Sequence, residues 1–292
     1  MTRRNLVKKA LIYVLAVLMA VWTLVPIYWM INISFMYRSE VLSIPAHFYP
    51  HLPTTFNYQR ILGFDNIVGF GGKVYGPSGH AESVTKGLKN SIIISVVTAI
   101  ITMIIGLPVA YAMGRLDFRF KNSLLFGILF SRSYPPIAIV IPFFMLSQRL
   151  GLRGTYVGMI LIYLSITVPL AVWIMMGFFR SLPKNTEREA RIDGCSRFGV
   201  FYRVMLPMSW SGVAATTIIA FMTAWNEFVF AFILSAGTQV QTLPATIAGM
   251  FFQAFGEPGE LTGAALLGML PPLVLAYIFQ SRIRQLNIVD PL

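Results

Sequence analysis

Charge is scarce in this chain. Only 12% of its 292 residues are Asp, Glu, Lys or Arg, where a soluble domain carries about 25%. Polar groups therefore could not cover a water-soluble fold of this size. Cysteine is nearly absent as well: the lone Cys195 excludes an internal disulfide framework, says nothing of redox compartment, and reads as an inert small residue. Acids are outnumbered, 11 against 23 Lys and Arg, for a net charge of +12. That excess is no nucleic-acid footprint, because the basic residues are confined to short segments between apolar runs. A nucleotide-binding loop is missing too. Gly72-Lys73 is followed by Val74 where Ser or Thr is required, and Ile67 stands where the leading glycine belongs. No Gly-x-Ser-x-Gly or metal-spaced cluster of His, Asp and Glu supports an intramembrane enzyme. The three histidines, His47, His51 and His80, match no zinc pattern, so solvated or capping roles are expected and no metal ligand is assigned.

What is abundant is apolar: 56% of residues are hydrophobic, 14% aromatic, and the mean hydropathy is +0.70. A membrane-spanning helix needs about 20 predominantly apolar residues. Six candidate runs satisfy this, at about 10–36, 88–114, 121–147, 156–180, 208–236 and 262–281. The first follows Arg3, Arg4, Lys8 and Lys9, but it is too long for a signal peptide and lacks a cleavage site, so it reads as an uncleaved anchor. With both ends inside, the cytoplasmic segments hold 15 Lys and Arg and the outer segments 7, and the 237–261 loop has none. The positive-inside rule then places both termini in the cytoplasm. The expected fold is an all-α membrane protein of six transmembrane helices, N-in and C-in, with a cytoplasmic helix-turn-helix. Residues 1–9 form a cytoplasmic N-terminus, 10–36 the first span, and 37–87 an external loop. Residues 88–284 form the core, with a cytoplasmic loop at 184–207, and 285–292 a short cytoplasmic tail. Repeated Pro and Gly make 37–87 a turn-rich cap. Prolines 108, 135, 136, 142, 169, 271 and 272 within the spans free backbone carbonyls and bend the helices, which favours an internal cavity or moving gate over a passive anchor.

The stretch Glu187–Pro207, EREARIDGCSRFGVFYRVMLP, is charged and ordered where a plain loop would be neither. Glu187 and Arg191 stand four apart on a first short helix. Asp193-Gly194 ends it, since glycine accepts the left-handed conformation. Phe198, Phe201, Tyr202, Met205 and Leu206 then recur at helical spacing, and Pro207 suits the start of the next helix. Two readings fit these residues: a docking surface for a partner, or an interfacial helix seated in the headgroups.

Measured from Gly194, an aliphatic Val204 and then Leu206-Pro207 fall where a known pattern has them. That pattern is Glu-Ala-Ala, three residues, Gly, nine residues, an aliphatic residue, one residue, Leu-Pro. At its first three positions this chain reads Arg188, Glu189, Ala190, with Glu187 one residue early. The segment resembles the signature loop of binding-protein-dependent ABC importer permeases. The six-run layout, Ser131-Arg132-Ser133-Tyr134-Pro135-Pro136 and Ala224-Trp225-Asn226-Glu227-Phe228 resemble the carbohydrate subfamily. The resemblance implies a permease subunit of an ATP-driven importer for a di- or oligosaccharide in the cell membrane, forming half the pore and having no catalytic residues. It implies a second, different permease, two ATPase subunits that carry the ATP and Mg, and an extracytoplasmic sugar-binding protein. This chain itself is expected to hold no cofactor and to meet lipid, not nucleic acid. The resemblance assigns ATPase coupling to Glu187, Glu189, Ala190, Asp193, Gly194, Val204, Leu206 and Pro207.

Arg132, Tyr134, Trp225, Asn226 and Glu227 are candidates for the substrate path. A charge at mid-bilayer costs about 2.5–3.5 kcal/mol on insertion scales and normally faces a partner or a wet cavity. Carboxylate, amide and guanidinium groups exchange hydrogen bonds with sugar hydroxyls, and an indole stacks on a pyranose. An Arg132–Glu227 bridge or plain helix-to-helix contact explains the same residues structurally. The alternatives are an importer for peptides, amino acids or polyamines and, less well matched, a secondary transporter with inverted repeats and several internal acids.

Overall fold

The computed structural model describes residues 3–183, 185–253 and 257–284. Lys184, where the expected coupling loop begins, lies outside the described residues, as does the 285–292 tail. The protein is mostly helical. In chain order the helices are α1 (Arg3–Ser34), α2 (Arg38–Val41), α3 (Phe56–Ile61), α4 (Ala81–Arg115), α5 (Lys121–Phe130), α6 (Pro136–Arg149) and α7 (Tyr156–Ser181). They continue with α8 (Asn185–Ile192), α9 (Arg197–Val200), α10 (Leu206–Met208), α11 (Trp210–Trp225), α12 (Val229–Leu234), α13 (Leu243–Gln253) and α14 (Pro258–Arg284). A π-helical turn, Phe201–Met205, joins α9 to α10. Two-residue strands β1 (Ile67–Val68) and β2 (Val74–Tyr75) pair antiparallel.

Four helices are long and apolar enough to cross a membrane: α1, α4, α7 and α14. A fifth is gained only if the stretch Arg197–Met208 and α11, bent by 80° at Ser209, count as one. The expected spans 121–147 and 208–236 are not continuous helices, a correction with a local cause in each. Pro135 takes an extended backbone (ψ 132°) before Pro136, because the residue preceding a proline is driven out of the helical region. Helix α6 therefore starts afresh at Pro136, after α5 has closed in a turn through Ser131–Ser133. In the other, the carboxylate of Glu227 occupies backbone N–H groups that begin α12, so α11 ends at Trp225 and a new helix starts at Val229.

The chain divides into two compact units, Met1–Thr85 with Ile247–Met269, and Lys86–Thr246 with Leu270–Leu292. In the first, Asn57 Nδ2 donates to the carbonyls of Ser34 (3.0 Å) and Met36 (2.8 Å), holding α3 against the end of α1. Arg60 lies 2.9 Å from Glu260, whose side chain is 1% exposed, and Ser78 Oγ donates to the same carboxylate. Gly259 packs on Asn57 so closely that a Cβ would stand 2.4 Å from its Nδ2. The apolar stretch 11–26 of α1 is exposed, with Trp22 82% exposed and Met19 70%.

The second unit is built on α4 against α7. Gly106 meets Ala171 and Gly114 meets Phe179, small residues that let helix backbones approach in lipid. Thr102 and Thr167 hydroxyls share a buried hydrogen bond of 2.6 Å between them. One core cluster joins Met113, Met175 and Phe179 to Ala190, Val200, Phe201, Met205 and Val213. Another joins Ile94, Val140, Met159 and Tyr163 to Phe230, Leu234 and Ala245. Asn90 pins the chain before α13, donating to the carbonyls of Gln239 and Gln241 at 2.9 Å each and accepting from Tyr156 at 2.6 Å.

Candidate functional site

The first cluster carries an element with one face buried and the other bare. Arg115, the last residue of α4, fixes where it leaves the bundle. Its Nη2 donates to the carbonyls of Leu182 (2.8 Å) and Pro183 (3.1 Å), and its Nε stands 3.1 Å from Glu187 Oε1, with the Arg115 side chain only 7% exposed. Carbonyls at the end of α7 have no helical partner of their own, and the guanidinium satisfies them while drawing in the first acid of α8. Arg115→Ala is expected to loosen α8 by about 1.5–3 kcal/mol, the range for hydrogen bonds to a charged group. Hydrogen exchange of the α8 amides should then speed up roughly ten- to hundredfold.

The end of α8 is closed by its own backbone. Gly194 sits at φ +90°; its N–H donates to Arg191 O (3.2 Å) and Cys195 N–H to Ala190 O (3.0 Å). That hydrogen-bond pair is a Schellman turn, which leaves the residue after the helix in the left-handed region where glycine is unstrained. Ser196 Oγ then accepts from Gly199 N–H at 3.1 Å, capping the second helical stretch. Ala190, Val200, Phe201 and Met205 are buried, and Cys195, Val204 and Leu206 pack beside them. The Phe201 ring lies 5.1 Å from Tyr111 and 6.3 Å from Phe179.

The inward stripe differs from the one read off the sequence. Phe198 is 70% exposed and Tyr202 50%, their rings 4.9 Å apart on the outer side, while Val200 and Val204 take the inner positions. Val200, Phe201, Val204 and Met205 recur at i, i+1, i+4 and i+5, still a helical stripe but turned by about one residue from the one the aromatic positions suggest. The outward surface therefore comprises Arg188, Glu189, Arg191, Ile192 (78% exposed), Asp193, Gly194, Phe198 and Tyr202. A cleft of about 410 Å³ opens between Glu187, Arg188, Arg191 and Ile192. Exposed isoleucine and phenylalanine on either side of a rigid turn, ringed by charge, form a surface suited to a protein partner. Pro207 is exposed, at the shoulder where the backbone turns into α11.

The five residues considered for a substrate path are distributed over two helix breaks. Arg132 and Tyr134 lie in the α5–α6 break, both exposed, with the Tyr134 ring 5.2 Å from Phe130. Asn226, exposed, and Glu227, half-buried, lie in the α11–α12 break. The α6 and α12 helices that follow these breaks pack together, Phe143 on Phe230 at 5.5 Å. Among the described residues no ion pair joins Arg132 to Glu227. Glu227 instead accepts from Phe230 N–H (2.9 Å) and Ala231 N–H (3.0 Å), anchoring the start of α12. Trp225 is 3% exposed and stacks on Phe221 at 5.7 Å, which leaves its ring packed among helices. Glu227→Gln keeps an acceptor for one amide, whereas Glu227→Ala removes both and is expected to cost about 1 kcal/mol of cap stability. Recovery of assembled protein, scored apart from uptake, should fall for Ala and hold for Gln.

Arg115 escaped the sequence reading because its partner Glu187 is 72 residues away; the only available signal was a lone arginine ending an apolar run. The family described as binding-protein-dependent transport system inner membrane component matches residues 106–286, a span that includes all of this surface. The trehalose/maltose transport system permease protein MalG of Thermococcus litoralis is 31% identical, covering 96% of this chain and 95% of that one. The sulfoquinovosyl glycerol transport system permease protein SmoH of Agrobacterium fabrum is 28% identical over 94% of this chain and 90% of its own length. A chain from a bacterial ABC transporter involved in import of the acidic polysaccharide alginate superposes with a TM-score of 0.77 at 19% identity, covering 96% of this chain and 98% of that one.

Proposed function

This chain belongs to the family of binding-protein-dependent transport system inner membrane components, and from that premise we propose how it works. It is a multi-pass membrane transport subunit with no chemistry of its own, and it imports a carbohydrate. The named cargoes of the relatives above, trehalose/maltose and sulfoquinovosyl glycerol, support a glycosidic substrate.

The observation that carries the reading is the coupling surface: a Schellman turn at Gly194 presenting Ile192, Phe198 and Tyr202 outward from a buried base. The motif residues divide into two roles. Ala190, Val204 and Leu206 seat the element on the bundle. Glu189, Asp193 and Gly194 face a separate ATPase subunit, which carries the ATP and Mg, while Glu187 is held by Arg115. Two such ATPases serve two permeases, this chain and a second one, and an extracytoplasmic binding protein delivers the sugar. The apolar, uncovered α1 supports a partner helix or lipid along its length. Six crossings follow if the α5–α6 and α11–α12 pairs each serve as one broken span, with both termini cytoplasmic. Broken helices with polar residues at the break are tolerated in a bilayer where they line protein or a wet path.

Reconstitution in vesicles with the partner subunits tests this. Sugar uptake should require ATP and the binding protein and persist when the proton gradient is collapsed. Uptake without ATP that dies with the gradient would identify a secondary transporter instead.

A further inference from the structure

Three metal-ligating side chains that the transport reading does not use converge in residues 38–52. Glu40 is on α2; its Oε1 stands 3.3 Å from His47 Nδ1 and 3.0 Å from His51 Nδ1. All three ligand atoms lie within 4.8 Å of one another. The segment carrying the histidines is pre-set by other contacts. The carbonyl of Phe48 accepts from Tyr28 Oη (2.9 Å) and Asn32 Nδ2 (2.5 Å) on α1, and the Tyr49 ring stacks on His51 at 5.0 Å. Arg38, two residues from Glu40, is turned toward Glu257 at 3.6 Å.

We propose that Glu40, His47 and His51 bind one zinc-class divalent cation. With metal–ligand bonds of about 2.0–2.1 Å, a tetrahedral site has ligand-to-ligand edges of about 3.3–3.4 Å, and the two measured carboxylate-to-imidazole separations fall within a few tenths of that. Two imidazole nitrogens with one carboxylate suit zinc and its neighbours and disfavour calcium or magnesium, which take oxygen ligands. The His51 N–H, 2.6 Å from the same Oε1, supplies the outer hydrogen bond that orients a ligating carboxylate. Side-chain exposure rises from 10% at Glu40 through 32% at His47 to 52% at His51, giving the cation a way in and a water-accessible fourth position. On loading, each imidazole surrenders its Nδ1 site to the metal and carries its proton on Nε2 or loses it to solvent. Histidine spacing gave no hint, because the third ligand is a carboxylate seven residues before His47.

The test uses full-length, metal-stripped protein in detergent, purified through a histidine-free tag, and zinc titrated against a chromogenic chelator. One equivalent should bind with micromolar or tighter affinity. Glu40→Gln, His47→Ala and His51→Ala should each weaken it at least tenfold, and His80→Ala should leave it unchanged. X-ray absorption at the zinc edge of the unsubstituted protein should show two imidazoles and oxygen ligands, a readout that does not depend on any variant folding. Absence of a saturable equivalent, binding that survives all three substitutions, or an edge spectrum without imidazole would overturn the site.

Discussion

A Gly194→Val chain is expected to insert and assemble at normal levels and to drive no uptake. The turn holds Gly194 at φ +90°, a region that costs a β-branched residue about 1–3 kcal/mol. A Cβ there would meet no atom within 4 Å, so the helix bundle itself is undisturbed and folding survives. The strain is relieved by opening the turn, which breaks the Cys195 N–H to Ala190 O bond and swings Phe198 and Tyr202 away from Ile192. A partner that reads all three together then loses its footing. Gly194→Asn, which tolerates the left-handed region, should retain much of the activity. Vesicle uptake, compared with the amount of protein in the membrane, measures the effect. Normal uptake by the valine variant would sink the docking assignment.

The largest loss of stability is expected from separating Arg60 and Glu260. The carboxylate is 1% exposed and the guanidinium 19%, so removing Arg60 strands the buried carboxylate, while removing Glu260 leaves Arg60 only its longer 3.9 Å contact to Glu257. Breaking a buried pair costs about 3–5 kcal/mol, and the lower end applies because Arg60 is partly wetted. Glu260→Ala also strips Ser78 of its acceptor. Thermal denaturation in detergent should show the drop for each single variant. Replacing both together, Arg60→Met with Glu260→Leu, should cost much less than either single change, because no charge is then stranded. Equal losses for the double and the singles would mean that packing, not charge, holds this site.

The helices that hydropathy located, α1, α4, α7 and α14, are those whose apolar runs are unbroken. What escaped it depended on contacts that spacing does not encode. The α11–α12 break arises because Glu227 reaches forward to two amides, and a carboxylate inside an apolar run reads equally well as a path residue. The Pro135-Pro136 pair was visible, but that it starts a new helix instead of kinking one depends on the extended backbone at Pro135. The motif spacing from Gly194 to Pro207 was fully legible, since a left-handed glycine and a following cap are local devices. Its outer face was not, because the buried stripe runs through Val200, Phe201, Val204 and Met205, and apolar periodicity cannot tell that face from the neighbouring one holding Phe198 and Tyr202. Glu187 and Glu189 could not be told apart without Arg115.

The 80° bend at Ser209 makes the stretch Arg197–Met208 and α11 the two arms of a bell crank. The arm Arg197–Met208 is about 18 Å long and α11 about 24 Å at 1.5 Å per residue, so the two are comparable and a push across one becomes a tilt of the other. If the corner stays stiff, rocking the short arm by about 10° carries the far end of α11 through about 4 Å. That end is Trp225-Asn226-Glu227, where the helix breaks. With Arg197–Met208 docked as proposed, stiffness at the corner would set how far a push there tilts α11, and Ser209, whose N–H donates to both Met205 O and Leu206 O at 3.1 Å, would be the pivot.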